Sequence, residues 1–401
     1  MPKLSLRDLD LEHKRVLIRV DFNVPLKDGV ILDDTRITET LPTIEYALRH
    51  KAKVILCSHL GRPKGKRVDS KSLRPIVALL RTRLDHILEG ENVAFSPDCI
   101  GEIATEMSSK LESGQTLLLE NLRFHPGEEA NDPAFAKKLA SLCDLYVDDA
   151  FGSAHRAHAS TEGITHYVAQ SAAGLLLQKE MTFLGKVLTE PDRPFVAIIG
   201  GSKVSDKIEI INSLLDKADT ILIGGAMAYT FLNAQGQATG KSLAEPDKKE
   251  VALAALAKAE ARGVKFLLPI DHVLADKFDA RAKTQVFSST EDFPADLMAL
   301  DIGPDTIELF ALEIARAQTI LWNGPMGVFE LAPFAHGTNT VAESVAANRD
   351  AITIVGGGDS VSAIRKSGLA DRITHISTGG GASLEFLEGK ILPGIAALTN
   401  A

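Results

Sequence analysis

The sequence predicts an α/β protein made of two Rossmann-like, three-layer parallel-sheet domains joined by an interdomain helix and hinge. Three observations predict it. At 401 residues the chain is longer than one ordinary core organises. Short apolar runs without polar alternation recur along it, as parallel strands covered on both faces require. Between Gly174 and Pro191, Leu177, Met181, Leu184 and Leu188 follow helical spacing, and Pro191 and Pro194 stop the pattern. These features set a first domain at 1–173, an interdomain helix at 174–190 and a second domain at 191–391.

Composition narrows the function. With 45% hydrophobic and 24% charged residues the chain reads as an ordinary globular protein. Its net charge of -9 argues against a nucleic-acid or anionic-membrane partner, so an anionic small ligand requires a local basic patch. Cys57, Cys99 and Cys143 lie far apart without CxxC spacing, which indicates neither a zinc site nor a disulfide framework and fits a reducing cytosol. Charges in the first ten residues leave no room for a signal-peptide core, and no apolar run reaches membrane-spanning length.

Basic and polar residues follow the predicted strands of the first domain. The run Val16–Val20 delivers Asp21, Asn23 and Pro25 to its carboxyl end, where open α/β sheets bind ligands. Arg36 lies at a helix start just beyond. Lys53–Ser58 leads into His59-Leu60-Gly61-Arg62-Pro63-Lys64, a basic, glycine-bearing loop, and Gln115–Glu120 leads into Asn121–His125 with Arg123. Leu145–Asp149 leads into Ala150–His158 with Arg156. If these strands are parallel, the cations converge on one sheet edge and suit a phosphate plus a carboxylate, since each guanidinium binds bidentately. The Asp148-Asp149 pair reads as a strand end that braces its loop through backbone hydrogen bonds, with magnesium binding as the rival use. His155 and His158 lack a third ligand and make a weak metal signal.

The second domain opens on Phe195–Ile199, ended by Gly200-Gly201. Ser202 is placed to cap a helix whose first turns carry Lys203 and Lys207 on one side. Cations at a helix start oppose its macrodipole, so this pair reads as serving an anionic ligand. Thr220–Ile223 runs into Gly224-Gly225, a turn that permits close backbone approach to a flat ring or a phosphate. Gly236–Ser242 looks like a Walker A loop but has three residues between its glycines and no preceding strand, so that reading is rejected. Asn323 and Glu330 flank a tight turn after Thr319–Trp322, and Glu330 is placed to accept from ribose hydroxyls. Ala351–Val355 runs into Gly356-Gly357-Gly358-Asp359-Ser360, an anion cradle with Ser360 opening a helix and Asp359 placed to hold magnesium. Gly379-Gly380-Gly381 is a second glycine cluster at a helix start.

The segments Arg19-Val20-Asp21-Phe22-Asn23-Val24-Pro25, His59-Leu60-Gly61-Arg62-Pro63, Ala154-His155-Arg156-Ala157-His158 and Trp322-Asn323-Gly324-Pro325-Met326-Gly327 stand as in the phosphoglycerate kinase family, which the chain resembles over essentially its whole length. The resemblance implies a cytoplasmic, glycolytic two-domain monomer. Its first domain would bind 3-phosphoglycerate or 1,3-bisphosphoglycerate, its second ATP or ADP with Mg2+, and the tail 392–401 would pack back on the first. It also implies roles. Asp21, Asn23, Arg36, His59, Leu60, Gly61, Arg62, Arg123 and Arg156 would hold the acid. Lys207, Gly225, Asn323, Glu330, Gly357, Gly358, Asp359 and Ser360 would hold the nucleotide, with Asp359 on the metal. Arg36, Lys203, Lys207, Gly358 and Gly381 would act on the transferring group. Ser202, Ser153 and Ser360 depart from the residues common in that family.

The substrate carboxylate of such a kinase is already ionised, so in-line transfer to it needs no general base, and hinge closure brings the reactants together. Two other readings stay open from the residues: a kinase for another small acid, and a nicotinamide dehydrogenase, which lacks a G-x-G-x-x-G after the first strand. A non-catalytic binding module leaves so many strand-end cations unexplained.

Overall fold

The computed structural model describes residues 2–87 and 93–401. The chain divides into two units, Met1–Thr182 with Ile391–Ala401, and Phe183–Lys390. The division falls between Thr182 and Phe183, inside the helix Leu175–Thr189, which was expected as a segment in its own right.

In the first unit the strands are β1 (Arg15–Arg19), β2 (Leu26–Lys27), β3 (Val30–Ile31), β4 (Lys53–Cys57), β5 (Val93–Phe95), β6 (Thr116–Leu118), β7 (Leu145–Asp148) and β8 (Ser171–Ala173). Six of them form a sheet in the order β5-β6-β4-β1-β7-β8, every neighbouring pair parallel. β2 and β3 make a separate hairpin. The central strands read as uninterrupted apolar runs because both faces are buried: Val16, Leu17, Ile18, Val54, Ile55, Leu56 and Val147 are closed to solvent. Helices such as Thr35–Arg49, with Ile37, Leu41 and Ile44 turned inward, cover the sheet. The chain leaves β1 toward β4 on one side and later pairs β7 on the other, so the order reverses at β1. Crevices at such reversals, beyond the carboxyl ends of the strands, are where open α/β sheets hold ligands. The chain's last residues pair with its first: Leu4 donates to the Thr399 carbonyl at 2.9 Å and Thr399 donates to the Ser171 carbonyl at 3.0 Å.

In the second unit the strands are β9 (Phe195–Ile199), β10 (Thr220–Ile223), β11 (Lys265–Leu267), β12 (Asp271–Ala275), β13 (Thr284–Ser288), β14 (Met298–Ile302), β15 (Thr319–Asn323), β16 (Ile352–Gly356) and β17 (His375–Ile376). The parallel sheet runs β11-β10-β9-β15-β16-β17, and its reversal lies between β9 and β15. Its core gathers Val196, Ile198, Leu222, Phe310, Ile320 and Trp322. A second, antiparallel sheet β13-β12-β14 was not foreseen. No helix among the described residues is long and apolar enough to cross a membrane.

Candidate active site

Because β1, β4, β6 and β7 are parallel, their carboxyl ends open on one edge of the first sheet and gather the residues that follow them. Asp21, almost closed to solvent, accepts from Arg36 Nη1 at 2.7 Å, which ties the helix Thr35–Arg49 to the end of β1. Asn23 Oδ1 accepts the Gly61 N–H at 2.9 Å, and Arg123 Nη1 donates to the Gly61 carbonyl at 2.8 Å. Gly61 itself sits at φ +61°, the left-handed region that favours glycine. Three strand-end loops are thus stitched together at one residue. Leu60 is anchored by Asn121, whose Oδ1 accepts the Leu60 N–H at 3.2 Å. Arg62, two residues on, is exposed.

Beneath these groups lies Arg19, a fully buried guanidinium at the last position of β1. It donates to Ser160 Oγ at 2.9 Å and to His59 Nδ1 at 3.1 Å, and Ser160 Oγ donates on to the buried Glu128 at 2.5 Å. Burial holds His59 well below its ordinary pKa; Asp21 opposes this, and the Arg19 and Arg123 charges add to it. His158 falls to about 4 through burial and the nearby Arg123, Arg19 and Arg156. Its Nδ1 is buried without a partner among the described residues. Arg156 Nε donates to His155 Nε2 at 3.1 Å. Neutral imidazoles among fixed guanidiniums make a basin for an anion with several oxygens.

The acidic pair at the end of β7 does what its strand-end position suggested. Asp148 accepts from the Ala150 N–H at 2.9 Å, and Asp149 accepts from Leu176 and Leu177 at 2.9 and 3.0 Å, capping the helix Leu175–Thr189. Burial raises Asp148 to about 7 and Asp149 to about 8.

In the second unit the strand ends meet still more closely. A Cβ on Gly200 would lie 2.1 Å from the Pro325 carbonyl oxygen, and one on Gly324 would lie 2.1 Å from the Gly200 carbonyl oxygen, so the turns after β9 and β15 pack backbone to backbone. Gly324 N–H donates to Ser360 Oγ at 2.6 Å. Around this contact a cavity of ≈ 300 Å³ is lined by Lys203, Lys207, Asn323, the Gly357–Ser360 turn and Gly380-Gly381. Lys207 Nζ donates to Asn323 Oδ1, and burial lowers its pKa. Asn323 Nδ2 is buried with no partner among the described residues. A donor left open in a cavity of glycine N–H groups and lysines suits phosphate oxygens.

A second cavity of ≈ 420 Å³ shares Gly201, Ser202, Pro325 and Asp359 with the first and is mainly apolar, walled by Tyr229, Leu243, Phe278, Leu300, Met326 and Val328, with Gly225 and Glu330 at its border. A flat ring fits such a slot while its polar continuation lies next door. Sequence reasoning missed Leu243 and Phe278, which no strand end announces. It also quoted Arg19 without giving it a role, although a charged residue closing an apolar strand was the available signal.

Two expectations need correction. Lys203 and Lys207 do not share a helix: the helix is Ile208–Leu214, Lys207 is the residue before it, and Ser202 caps nothing. Positive φ at Gly201 and the buried Val204, whose carbonyl accepts the Lys207 N–H, hold 200–207 as irregular turns. The helix after β16 begins at Gly358, two residues before Ser360, and the Ser360 oxygen is engaged by Gly324. The rejected Walker-like stretch follows the helix Met227–Ala234, with no strand ahead of it.

The comparisons with known proteins agree along the whole chain. The family model described as "Phosphoglycerate kinase" matches residues 6–390. The chain belongs to the phosphoglycerate kinase family. Phosphoglycerate kinases of Acidobacterium capsulatum and Koribacter versatilis are 69% and 66% identical to it, each aligned over 100% of both chains. The phosphoglycerate kinase structure from Coxiella burnetii superposes with a TM-score of 0.90 at 44% identity, covering 99% of this chain and 98% of that one. The crystal structure of phosphoglycerate kinase from Pyrococcus horikoshii gives 0.84 at 33% identity, covering 98% of each. As a member of the phosphoglycerate kinase family the chain is a phosphotransferase and a kinase of glycolysis, on the two parallel-sheet domains expected for it.

Proposed function

We propose that the chain transfers a phosphoryl group reversibly between 1,3-bisphosphoglycerate and ADP, giving 3-phosphoglycerate and ATP, with the acid held in the first unit and the nucleotide in the second. The observation that carries the residue assignment is the glycine-lined cavity at the β9–β15 reversal, with Lys207 on Asn323 and the Asn323 Nδ2 donor left open. In this reading Asp21, Asn23, Arg36, His59, Leu60, Gly61, Arg62, Arg123 and Arg156 hold the acid. Gly225, Glu330 and the apolar slot take the nucleoside, and Lys207, Asn323, Gly357, Gly358, Asp359 and Ser360 take the phosphates.

The acceptor carboxylate is ionised at neutral pH, so no side chain has to remove a proton from it. The barrier is the approach of one anion to another. Arg36, Lys203, Lys207 and the N–H groups of Gly358 and Gly381 offset the charge on the equatorial oxygens of the transferring group. Asp359, an exposed carboxylate in the first turn of the helix Gly358–Lys366, is a hard oxygen donor of the kind Mg2+ takes beside substrate phosphates. The ion would supply Lewis-acid neutralisation of those phosphates. Transfer requires the reacting atoms within about 3–3.5 Å, so ligand-driven hinge closure belongs to the same proposal. So do a monomeric state and a cytoplasmic location.

The test is ADP formation dependent on 3-phosphoglycerate, compared between the native chain and Arg36→Ala. We expect the variant to lose about two to four decades in kcat. Unchanged turnover would remove Arg36 from the reacting group.

A further inference from the structure

Two loops of the first unit meet beside the residues assigned to the acid. Asp98 and Cys99 follow β5, and His125 closes the turn Leu122–Phe124 just before the short helix Pro126–Glu129. One ligand atom from each of Asp98, Cys99 and His125 lies within 4.8 Å of the other two, and among the described residues this is the one such trio. His125 Nε2 and Asp98 Oδ1 stand 2.6 Å apart. Cys99 is fully buried, and the His125 and Asp98 side chains beside it are 29% and 44% exposed.

A carboxylate alone would suit Mg2+, but an imidazole and a thiol beside it select a borderline-soft cation. We propose that Asp98, Cys99 and His125 form a binding site for a thiophilic divalent cation, Zn2+ being the best match, with water as the fourth ligand. Metal bonds of about 2.0–2.3 Å in a tetrahedron set donor atoms about 3.3–3.8 Å apart, so the Nε2–Oδ1 pair opens from 2.6 Å on binding while separations nearer the 4.8 Å limit close. The Cys99 thiol releases its proton to solvent. His125 ligates through Nε2 with its ring proton on Nδ1, so the cation replaces the proton between Nε2 and Oδ1. Nothing is oxidised or reduced.

The surrounding contacts already orient these ligands. Asp98 Oδ1 accepts the Cys99 N–H at 2.7 Å, Ser96 Oγ donates to the Asp98 carbonyl at 2.6 Å, and the His125 ring packs on Phe135 at 5.4 Å. Arg67 Nη1 donates to the Pro97 carbonyl at 3.0 Å, tying the loop to the segment after β4. Spacing along the sequence could not announce the site, because the histidine comes from a separate loop.

Cobalt(II) titrated into the metal-free full chain tests the proposal, since only a thiolate ligand gives an intense near-ultraviolet charge-transfer band. We expect a band that saturates at one cobalt per chain and is displaced by one equivalent of Zn2+. Cys99→Ser should abolish it, and His125→Gln should weaken cobalt binding at least about tenfold. His125→Gln should leave kinase turnover and the thermal midpoint near native values. Absence of the band, its persistence in Cys99→Ser, or native cobalt affinity in His125→Gln overturns the site. If Cys99→Ser does not fold, Asp98→Asn with His125→Gln decides by the same affinity criterion.

Discussion

Arg19 Nη2 lies 3.1 Å from His59 Nδ1, and both side chains are closed to solvent. A guanidinium only donates, so Nδ1 must accept and the ring proton must sit on Nε2. The folded pKa is depressed mainly by burial, so the ring stays neutral as pH falls through the ordinary histidine range. Nitrogen-15 NMR of the full chain should therefore show His59 as the neutral Nε2–H tautomer from pH 8 down to about 5.5. A His59 signal titrating near 6.5, or a proton on Nδ1, would contradict the arrangement. Arg19→Met should release the tautomer. It should also cost about 3–5 kcal/mol in stability, because Glu128 keeps a buried carboxyl without its cation.

How much of this was legible follows from what each strand faces. Val16–Arg19, Val54–Cys57, Phe195–Ile199 and Ile320–Trp322 announced themselves because burial on both faces leaves no polar alternation. Ser171–Ala173 and His375–Ile376 did not: they are edge strands of three and two residues, too short for any period. Thr284–Ser288 was hidden because it is mostly exposed and sits in a small antiparallel sheet. Lys203 and Lys207 were placed wrongly on a helix, since four-residue spacing is also compatible with the turn that Gly201 and Val204 impose. The individual roles came from resemblance to a family; strand ends alone pointed only to a polyanion.

Lys207 separates function from stability. Its ammonium is half-buried against Asn323, and burial lowers its pKa, so the native fold gains little from holding the charge there. Lys207→Met should lower kcat/KM for the nucleotide by about 10²–10³ while leaving the thermal midpoint unchanged or higher. Kinetics with ATP as the varied substrate, together with a thermal melt, checks both. A variant that melts early and retains turnover would make Lys207 a structural residue.

Asp149 gives a pH dependence whose sign is fixed. Its folded pKa is raised to about 8 by burial, above the ordinary carboxylate value of 3.8. Between those values the folded chain holds a proton that the unfolded chain has lost, so Asp149 makes stability fall as pH rises, by at most about 1.4 kcal/mol per pH unit. Asn keeps the oxygen that accepts from Leu176 and Leu177 and cannot ionise. Urea unfolding from pH 5 to 9 should show Asp149→Asn gaining on the native chain as pH rises, then levelling beyond about 8. Parallel curves would mean that the carboxyl is ionised throughout.

Gly324 is where the second sheet's reversal leaves no space for a side chain. Its φ is +104°, and a Cβ would stand 2.1 Å from the Gly200 carbonyl oxygen and 2.4 Å from the carbonyl carbon. Neither neighbour is a flexible side-chain end that could swing aside, because both are backbone at the end of β9. Gly324→Ala must therefore push the turns after β9 and β15 apart, which also strains the Gly324 N–H bond to Ser360 Oγ. Backbone strain of about 1–3 kcal/mol and the steric displacement add, so we expect about 3–5 kcal/mol of lost stability in the second unit. The cost should be selective. The residues proposed to hold the acid belong to the first unit, whereas the cavity formed by Lys207, Asn323 and the Gly357–Ser360 turn is built on the displaced backbone. Calorimetric titration of the variant should show ADP affinity falling by at least about tenfold and 3-phosphoglycerate affinity unchanged. Native ADP affinity in a folded Gly324→Ala chain would show that the nucleotide does not use this backbone junction.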